Sequence, residues 1–232
     1  MILALDTATE VCSVALGENG RRIAHFSVHN SKAHSRVLEP MIKEIMQLSG
    51  VGLRDLAGIA VAAGPGSYTG LRIGMTAAKV LAQVGGIPVV PVSTLQALAV
   101  GAGTADTLIC ASLDARQGRV FAGVYLAGQA VRKDALTDGR AVIEAIEQLG
   151  YRQVCLVGNG SSVCLPWAQA SRLSCVEAVY DGQAGLAAGV LRLGEELLLA
   201  GKTMSCWSAE PYYLAKSEPE RRLANQIEGE AL

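Results

Sequence analysis

The sequence predicts an α/β protein built from two similar lobes, and three observations support this. Half of the 232 residues are hydrophobic but only 4% are aromatic, which favours close-packed helices and strands over an aromatic-rich β-sandwich. Short apolar runs alternate with helical patterns along the chain. The order of strand, aspartate, hairpin, helix and glycine turn in the first half returns in the second half, as expected for a duplicated unit.

The first half begins with strands, and Asn19-Gly20 predicts a tight hairpin between the second and the third. The predicted elements, in chain order, are strands over 2–5, 11–16 and 22–28, a helix over 34–48, a strand over 58–63, a helix ending near 85, a strand over 89–92 and a helix near 95–100.

After a glycine-rich segment over 101–104 the pattern restarts. The predicted elements are strands over 108–113 and 119–126, a helix after 138, a strand over 154–157 and a strand over 176–180. Leu5-Asp6 is echoed by Leu113-Asp114, and Gly64-Pro65-Gly66-Ser67 by Gly158-Asn159-Gly160-Ser161. We therefore expect an N-terminal lobe over 1–103 and a C-terminal lobe with a tail over 104–232. Duplicated ββ(β)αβα units of this kind describe the actin/Hsp70/sugar-kinase fold, whereas the early hairpin disfavours a single doubly wound sheet.

Charge and cysteine usage exclude several classes of protein. The formal net charge of −1 provides no global positive field for nucleic acid or membranes. None of the six cysteines forms a Cys-x-x-Cys pair, which indicates reduced core thiols. Because the N-terminus reads as a strand and no apolar run approaches the ~20 residues of a membrane span, we expect a soluble cytoplasmic protein with no membrane contact.

The strand ends and glycine turns are candidate phosphate contacts. Carboxylates at strand ends face the cleft in kinases of this fold, and a helix N-terminus offers free backbone donors to an anion. The opposing interpretation of the first glycine turn is a tight strand-to-helix connection capped by Ser67 or Thr69. Since Asp6-Thr7-Ala8-Thr9 lacks a glycine, we expect no tightly bound cofactor, and ATP or ADP only at the level of a complex. The candidate contacts are Asp6, Thr7, Gly64, Gly66, Ser67 and Asp114.

The second helix carries two apolar stripes, and the two stripes predict different roles. Small residues recur every four positions over 70–82, a pattern that permits close approach of another helix. The stripe Ile73, Ala77, Leu81 and Val84 is the expected core face. Burial of both stripes inside the lobe remains an alternative. The predicted partner-binding residues are Val37, Met41, Gly70, Arg72, Gly74, Ala78 and Ala82.

Several segments resemble the TsaB family in order along nearly the whole chain. The most specific is Gly-Pro-Gly-Ser-Tyr-Thr-Gly-Leu-Arg-Ile-Gly over 64–74. The accompanying segments are Leu3-Ala-Leu-Asp6-Thr-Ala-Thr9, His34-Ser-Arg-Val-Leu-Glu-Pro40, Val92-Ser-Thr-Leu95, Asp114-Ala-Arg116, Gly158-Asn-Gly160 and Pro211-Tyr-Tyr-Leu214.

The resemblance implies a non-catalytic subunit that scaffolds and activates the catalytic subunit TsaD. With TsaD and the ATPase TsaE, such a subunit supports threonylcarbamoyl transfer to the adenosine beside the anticodon in tRNA. Family members are expected to pair through their first two helices, to form homodimers when free, and to meet tRNA only through the complex.

The resemblance also predicts that this chain has no metal site. TsaD-like proteins hold a metal through a His-x-x-x-His pair, and the matching positions here are Thr94 and Leu98. His25 and His29 share a strand face and keep only a weak metal option. Two alternatives stay open. One is an independent enzyme of the same superfamily, either metallopeptidase-like or a small-molecule kinase, and the other is a chaperone-like binder that needs no nucleotide.

Overall fold

The computed structural model describes residues 1–30, 33–103, 106–177 and 185–215. The first half contains β1 (Ile2–Asp6), β2 (Val11–Glu18), β3 (Arg21–His29), α1 (His34–Leu48), β4 (Gly58–Gly64), α2 (Tyr68–Gly85), β5 (Val89–Ser93) and α3 (Thr94–Gly101). The second half contains β6 (Leu108–Asp114), β7 (Arg119–Leu126), β8 (Gln129–Asp138), α4 (Gly139–Gln148), β9 (Gln153–Val157), α5 (Ser161–Ala170), β10 (Ser174–Glu177) and α6 (Ala187–Leu199).

The two halves form separate five-stranded sheets of the same topology. The strand order is β3-β2-β1-β4-β5 in the first sheet and β8-β7-β6-β9-β10 in the second. In each sheet the first three strands are antiparallel, and the last two run parallel to the central strand. The predicted two-lobed α/β fold with a duplicated unit is therefore confirmed.

Helices cover both faces of each sheet, and two of them lie between the sheets. One core cluster joins α1 and α2 to the outer face of the first sheet, and another joins α4 and α5 to the outer face of the second. A third cluster places α3 and α6 between the inner faces of the two sheets. Because α6 packs on β1 and β4 although it follows the second half in sequence, the last helix completes the first lobe. The division at residues 103 and 104 stays a prediction.

Two strands differ from the sequence prediction. β8 was not predicted, because its sequence is largely polar and the strand lies at a sheet edge, where side chains remain partly exposed. The strand expected over 176–180 is β10, which ends at Glu177, and 178–180 lie outside the described residues. None of the helices in the described part of the chain combines the length and apolar character that a membrane span requires.

Candidate functional site

A cleft of about 650 Å³ lies between the lobes. Its first wall comes from the loop after β1, the β4–α2 turn and the beginning of α2. Its second wall comes from the end of β6, the loop that follows and Asn159. Residues 212–215, after α6, also line it. The phosphate contacts predicted from the sequence fall around this cleft, but they do not all face it.

Asp6 does not face the cleft, contrary to the sequence-based expectation. Its carboxylate is fully buried and accepts hydrogen bonds from Ala8 N (2.9 Å), Leu186 N (3.2 Å) and Ser13 Oγ (3.4 Å). Ser13 Oγ in turn accepts from Ala187 N at 3.0 Å. Asp6 and Ser13 thus satisfy the free amides at the beginning of α6, where a carboxylate is favoured by the helix dipole. Burial raises the pKa of the Asp6 carboxyl to about 6.

Asp114 lines the cleft and is exposed. Its carboxylate accepts from Arg116 N at 2.7 Å, and its own amide donates to Asn159 Oδ1 at 3.0 Å. The two aspartates differ because the matching dipeptides are offset by one residue on their strands. In β1, Asp6 lies two positions after Ala4 and therefore on the same face, toward the other lobe. In β6, Leu113 occupies that face, and Asp114 is the next residue along the strand. A shift of one residue moves a strand side chain to the opposite face.

The β4–α2 turn is a capped helix start. Ser67 Oγ accepts from Gly70 N at 3.2 Å, which agrees with the capping interpretation of this turn. Gly66 and Ser67 line the cleft. Thr7 is buried, and its Oγ1 donates to Gly70 O at 2.7 Å. Thr7 therefore connects the end of β1 to α2.

The small-residue stripe of α2 faces the first sheet and not a partner. The stripe consists of Gly70, Gly74, Ala78 and Ala82, all of which are buried. A Cβ on Gly70 would collide with Thr7 O, and one on Gly74 would lie 2.5 Å from Thr7 Oγ1. The predicted partner-binding role of these four residues is wrong, because the stripe lets α2 approach β1 within the lobe.

The outer face of α2 is the stripe that was expected to form the core. Ile73, Ala77 and Leu81 are only partly buried, and Val84 is 75% exposed. Val80, on the same side of the helix, is 54% exposed. The outer side of α2 therefore carries exposed apolar side chains, of which Val80 and Val84 are the most exposed.

A groove of about 570 Å³ runs between α1 and α2 beside this outer face. Its lining residues are Ser35, Leu38, Glu39, Tyr68, Thr69, Arg72, Ile73, Thr76 and Ala77. Arg72 is exposed there and donates to Tyr68 OH at 3.0 Å, and its contact with a partner stays a prediction. Val37 is partly buried and Met41 is 8% exposed, and both pack in the outer core of the first lobe. Tyr68 and Val80 were not among the residues that the sequence singled out, and Val84 was expected on the core face, although the four-residue spacing of Val80 and Val84 places both on one side of α2.

The two positions that match the metal-binding histidines of TsaD-like proteins lie in the interlobe core. Thr94 and Leu98 are buried on α3, and Leu98 packs against the Gly158 backbone. His29 Nε2 lies 3.5 Å from Glu10 Oε2, both exposed. Among the residues that the structure describes, no group of three or more His, Cys, Asp or Glu side chains is arranged to hold a metal ion.

Comparison with known proteins identifies the family. A family model for tRNA N6-adenosine threonylcarbamoyltransferase (TsaD) matches residues 28–174. The tRNA threonylcarbamoyladenosine biosynthesis protein TsaB of Escherichia coli (strain K12) is 35% identical over 231 residues, which cover 96% of this chain and 97% of that protein. This chain belongs to the TsaB family.

Solved structures agree with the family and with the fold. YeaZ from Pseudomonas aeruginosa matches with a TM-score of 0.77 at 29% identity, covering 92% of this chain and 99% of that one. A ROK hexokinase from Thermus thermophilus matches with a TM-score of 0.52 at 12% identity, covering 85% and 99%. The second match shows only that this TsaB-family chain shares the sugar-kinase fold.

A magnesium–nucleotide held through Asp6, as the fold suggests, does not fit this TsaB-family chain. Both oxygens of Asp6 are engaged by the beginning of α6 and by the loop after β1. Thr7 is committed to Gly70 O, and Gly64 lies beneath Tyr212. Gly66, Ser67 and Asp114 remain at the cleft, and their contact with phosphate stays a prediction.

Proposed function

We propose that this chain is the non-catalytic partner of a TsaD-type threonylcarbamoyltransferase, which it scaffolds and activates. The observation that carries the proposal is the burial of Thr94 and Leu98 where TsaD-like proteins have histidines. Leucine offers a metal no ligand atom, and Leu98 fills this part of the core with hydrocarbon. A chain of the same family without that ligand pair is suited to a supporting role.

The outer face of α1 and α2 is the proposed binding surface for TsaD. It combines the groove between the helices with the exposed apolar residues Val80 and Val84 and the cation of Arg72. An apolar centre with an arginine beside it is the composition of a protein interface. Two copies of this chain would pair through the same surface. A chain in the homodimer could therefore not bind TsaD at the same time.

The remaining partners follow from the same assignment. The ATPase TsaE joins the pair, and any ATP or ADP is bound at the level of the complex. Since the chain carries a formal net charge of −1, most phosphate contacts to tRNA would come from the other subunits. The reaction is the transfer of a threonylcarbamoyl group to the adenosine beside the anticodon.

Reconstitution with purified TsaD and TsaE, supplied with tRNA, ATP and an activated threonylcarbamoyl donor, tests this proposal. We expect modification of tRNA only when this chain and TsaD are both present, and none from this chain alone. Val80→Arg should weaken TsaD binding at least about tenfold, because a buried unpaired cation opposes association. Leu149→Arg, at a 45% exposed position in the other lobe, is the matched control and should bind normally.

Three results would contradict the proposal. Full modification by TsaD and TsaE without this chain would show that it is dispensable. Peptidase or small-molecule kinase activity of the chain alone would favour the two alternative enzymes. Normal TsaD affinity of a folded Val80→Arg protein would exclude the outer face of α2 as the binding surface.

A further inference from the structure

The outer core of the second lobe contains two thiols that the proposed function does not use. Cys110 lies on β6 and Cys164 on α5, and both are reduced and completely buried. They belong to the same core cluster, which joins α4 and α5 to the outer face of the second sheet. The course of α5 over β6 determines how close together the two thiols lie.

The beginning of α5 is fixed against the end of β6. Gly160 N donates to Ser112 O at 3.1 Å, and a Cβ on Gly160 would lie 2.9 Å from the Ser112 and Leu113 backbone. Because α5 connects the parallel strands β9 and β10, it runs back along the sheet. Four helical residues span ~6 Å and two strand residues ~6.6 Å. Cys164, one turn after Gly160, therefore lies over Cys110, two positions before Ser112, and a hydrogen bond joins the two thiols.

An arginine from β8 lies beside the thiol pair. Cys110 pairs with Val124 and Val124 with Arg132, so all three side chains lie on the same face of the sheet. Arg132 Nη1 is buried and has no hydrogen-bond partner among the described residues. Its positive charge lies close enough to Cys110 to favour a thiolate there. A thiol pair beside an arginine is the kind of electropositive environment in which cysteines react.

The two thiols differ in how readily they lose a proton. The hydrogen bond between them lowers the pKa of Cys164 and raises the pKa of Cys110. Cys12 provides a contrast, since it is equally buried in the first lobe and burial raises the pKa of its thiol to about 12. Because the thiolate is the nucleophile in thiol chemistry, Cys164 is the member of the pair that reacts first.

The helix that covers the pair is weakly held at its beginning and in its middle. α5 is ten residues long, begins without a side-chain cap and contains Pro166. A proline inside a helix has no amide to donate and removes one of the helical hydrogen bonds. These features lower the local stability of α5, so the helix opens more easily than the lobe unfolds. Such an opening admits a molecule as small as hydrogen peroxide.

We propose that Cys110 and Cys164 are a redox-active thiol pair, which hydrogen peroxide converts to a disulfide between β6 and α5. The Cys164 thiolate attacks one peroxide oxygen, the O–O bond breaks, and hydroxide leaves and takes up the proton that the thiol released. The Cys110 sulfur then displaces the hydroxyl group from the Cys164 sulfenic acid, and its proton leaves with that group as water. Two thiols and one peroxide thus give one disulfide and two waters. This inference does not depend on the proposed partnership with TsaD.

Thiol counting after oxidation tests the proposal on the full-length chain. The reduced chain has six cysteines, and we expect hydrogen peroxide to remove two of them from reaction with N-ethylmaleimide after denaturation. Mass spectrometry should find Cys110 joined to Cys164, and dithiothreitol should restore all six thiols. Cys12→Ala, which removes a buried thiol outside the pair, should form the same disulfide at the wild-type rate. Six remaining thiols, or a disulfide between other cysteines, would overturn the proposal.

Single alanine variants assign a role to each thiol. Cys110→Ala leaves no thiol to displace the hydroxyl group, so the sulfenic acid should persist and dimedone should label Cys164. Cys164→Ala removes the nucleophile, and Cys110 should then stay unlabelled. Labelling of Cys110 in the second variant, with none of Cys164 in the first, would contradict the order of the two steps.

A change outside the thiols keeps the test valid if an alanine variant fails to fold. Arg132→Met removes the cation and should slow disulfide formation at least about threefold, because less thiolate is present. Lys133→Met, at the next and exposed position of β8, is the matched control and should react at the wild-type rate. Equal rates for the two methionine variants would show that Arg132 does not act on the pair and would contradict the site as described.

Discussion

The two halves of the molecule share one topology but use their matching residues differently. In the first half, the aspartate at the end of the central strand is buried and holds the beginning of α6. In the second half, the aspartate that echoes it is exposed at the cleft. A duplicated backbone therefore preserves strand order and leaves strand-end side chains free to diverge.

The glycine turns diverge in the same way. Gly64 is covered by the backbone of Tyr212, whereas Gly158 packs against Leu98 from α3. Small residues every four positions nevertheless face the sheet in both halves, since Gly160, Cys164 and Ala168 repeat on the second sheet what Gly74 and Ala78 do on the first. This agreement shows that the stripe is a packing feature of the duplicated unit.

The largest expected effect comes from filling the stripe. Gly74→Leu should lower the free energy of unfolding by at least ~3 kcal/mol, because its side chain has to displace Thr7 and the end of β1. Gln83→Leu places the same side chain on the exposed side of α2 and should change stability by no more than ~0.5 kcal/mol. Urea denaturation of the isolated chain measures both. If the Gly74→Leu protein were folded and as stable as wild type, the small-residue stripe would have to lie on the surface of the lobe.

The second effect concerns Asp6 and depends on pH. Burial raises the pKa of its carboxyl from 3.8 to about 6, so the folded state binds the proton more tightly than the unfolded state. The stability contributed by this group is therefore full below pH 3.8 and is lost as the pH rises through about 6. The loss amounts to roughly 3 kcal/mol.

Asp6→Asn should remove this pH dependence. The stability of wild type relative to the variant should fall by ~3 kcal/mol between about pH 4 and pH 7, measured by urea unfolding across that range. Asp114→Asn is the matched change in the second half. It removes the negative charge but keeps an amide oxygen that can still accept from Arg116 N, and it should cost less than ~1 kcal/mol. Parallel pH profiles for wild type and Asp6→Asn would show that this carboxyl is not buried as described.

Much of the fold was predictable because strands and helices leave local patterns in the sequence. Apolar runs, the Asn19-Gly20 hairpin and the helical spacing over 34–48 indicated most elements within a few residues, whereas the largely polar β8 was missed. The side-chain environments were harder to predict, because they depend on contacts between distant segments. Asp6 accepts from Leu186 across 180 positions, and Tyr212 N donates to Ala63 O through backbone atoms that leave no pattern in the sequence.

The face of α2 was predicted wrongly for a physical reason. Glycine and alanine add little hydrophobicity, so Ile73 and Leu81 appeared to define the core side. The small size of glycine and alanine instead permits the closest approach of α2 to the sheet, and the larger apolar residues lie on the outer side of the helix. The stripe over 160–168 contained the missing signal, since a feature repeated in both units points to packing within each unit.

The smallest predicted effect separates the two serines that follow the glycine turns. Ser67 caps α2 through Gly70 N, so Ser67→Ala should lower the free energy of unfolding by ~1 kcal/mol. Ser161 occupies the echoed position, but α5 begins after Gly160 without a side-chain cap. Ser161 Oγ is buried and has no hydrogen-bond partner among the described residues.

Ser161→Ala removes a buried hydroxyl that forms no hydrogen bond with the described residues. The substitution should therefore leave the free energy of unfolding unchanged or raise it slightly. Thermal and urea unfolding of the two alanine variants, measured side by side, provide the test. Equal losses of stability would mean that Ser161 also forms a capping bond. The two turns would then be alike in function as well as in sequence, and the divergence of the halves would be limited to their aspartates.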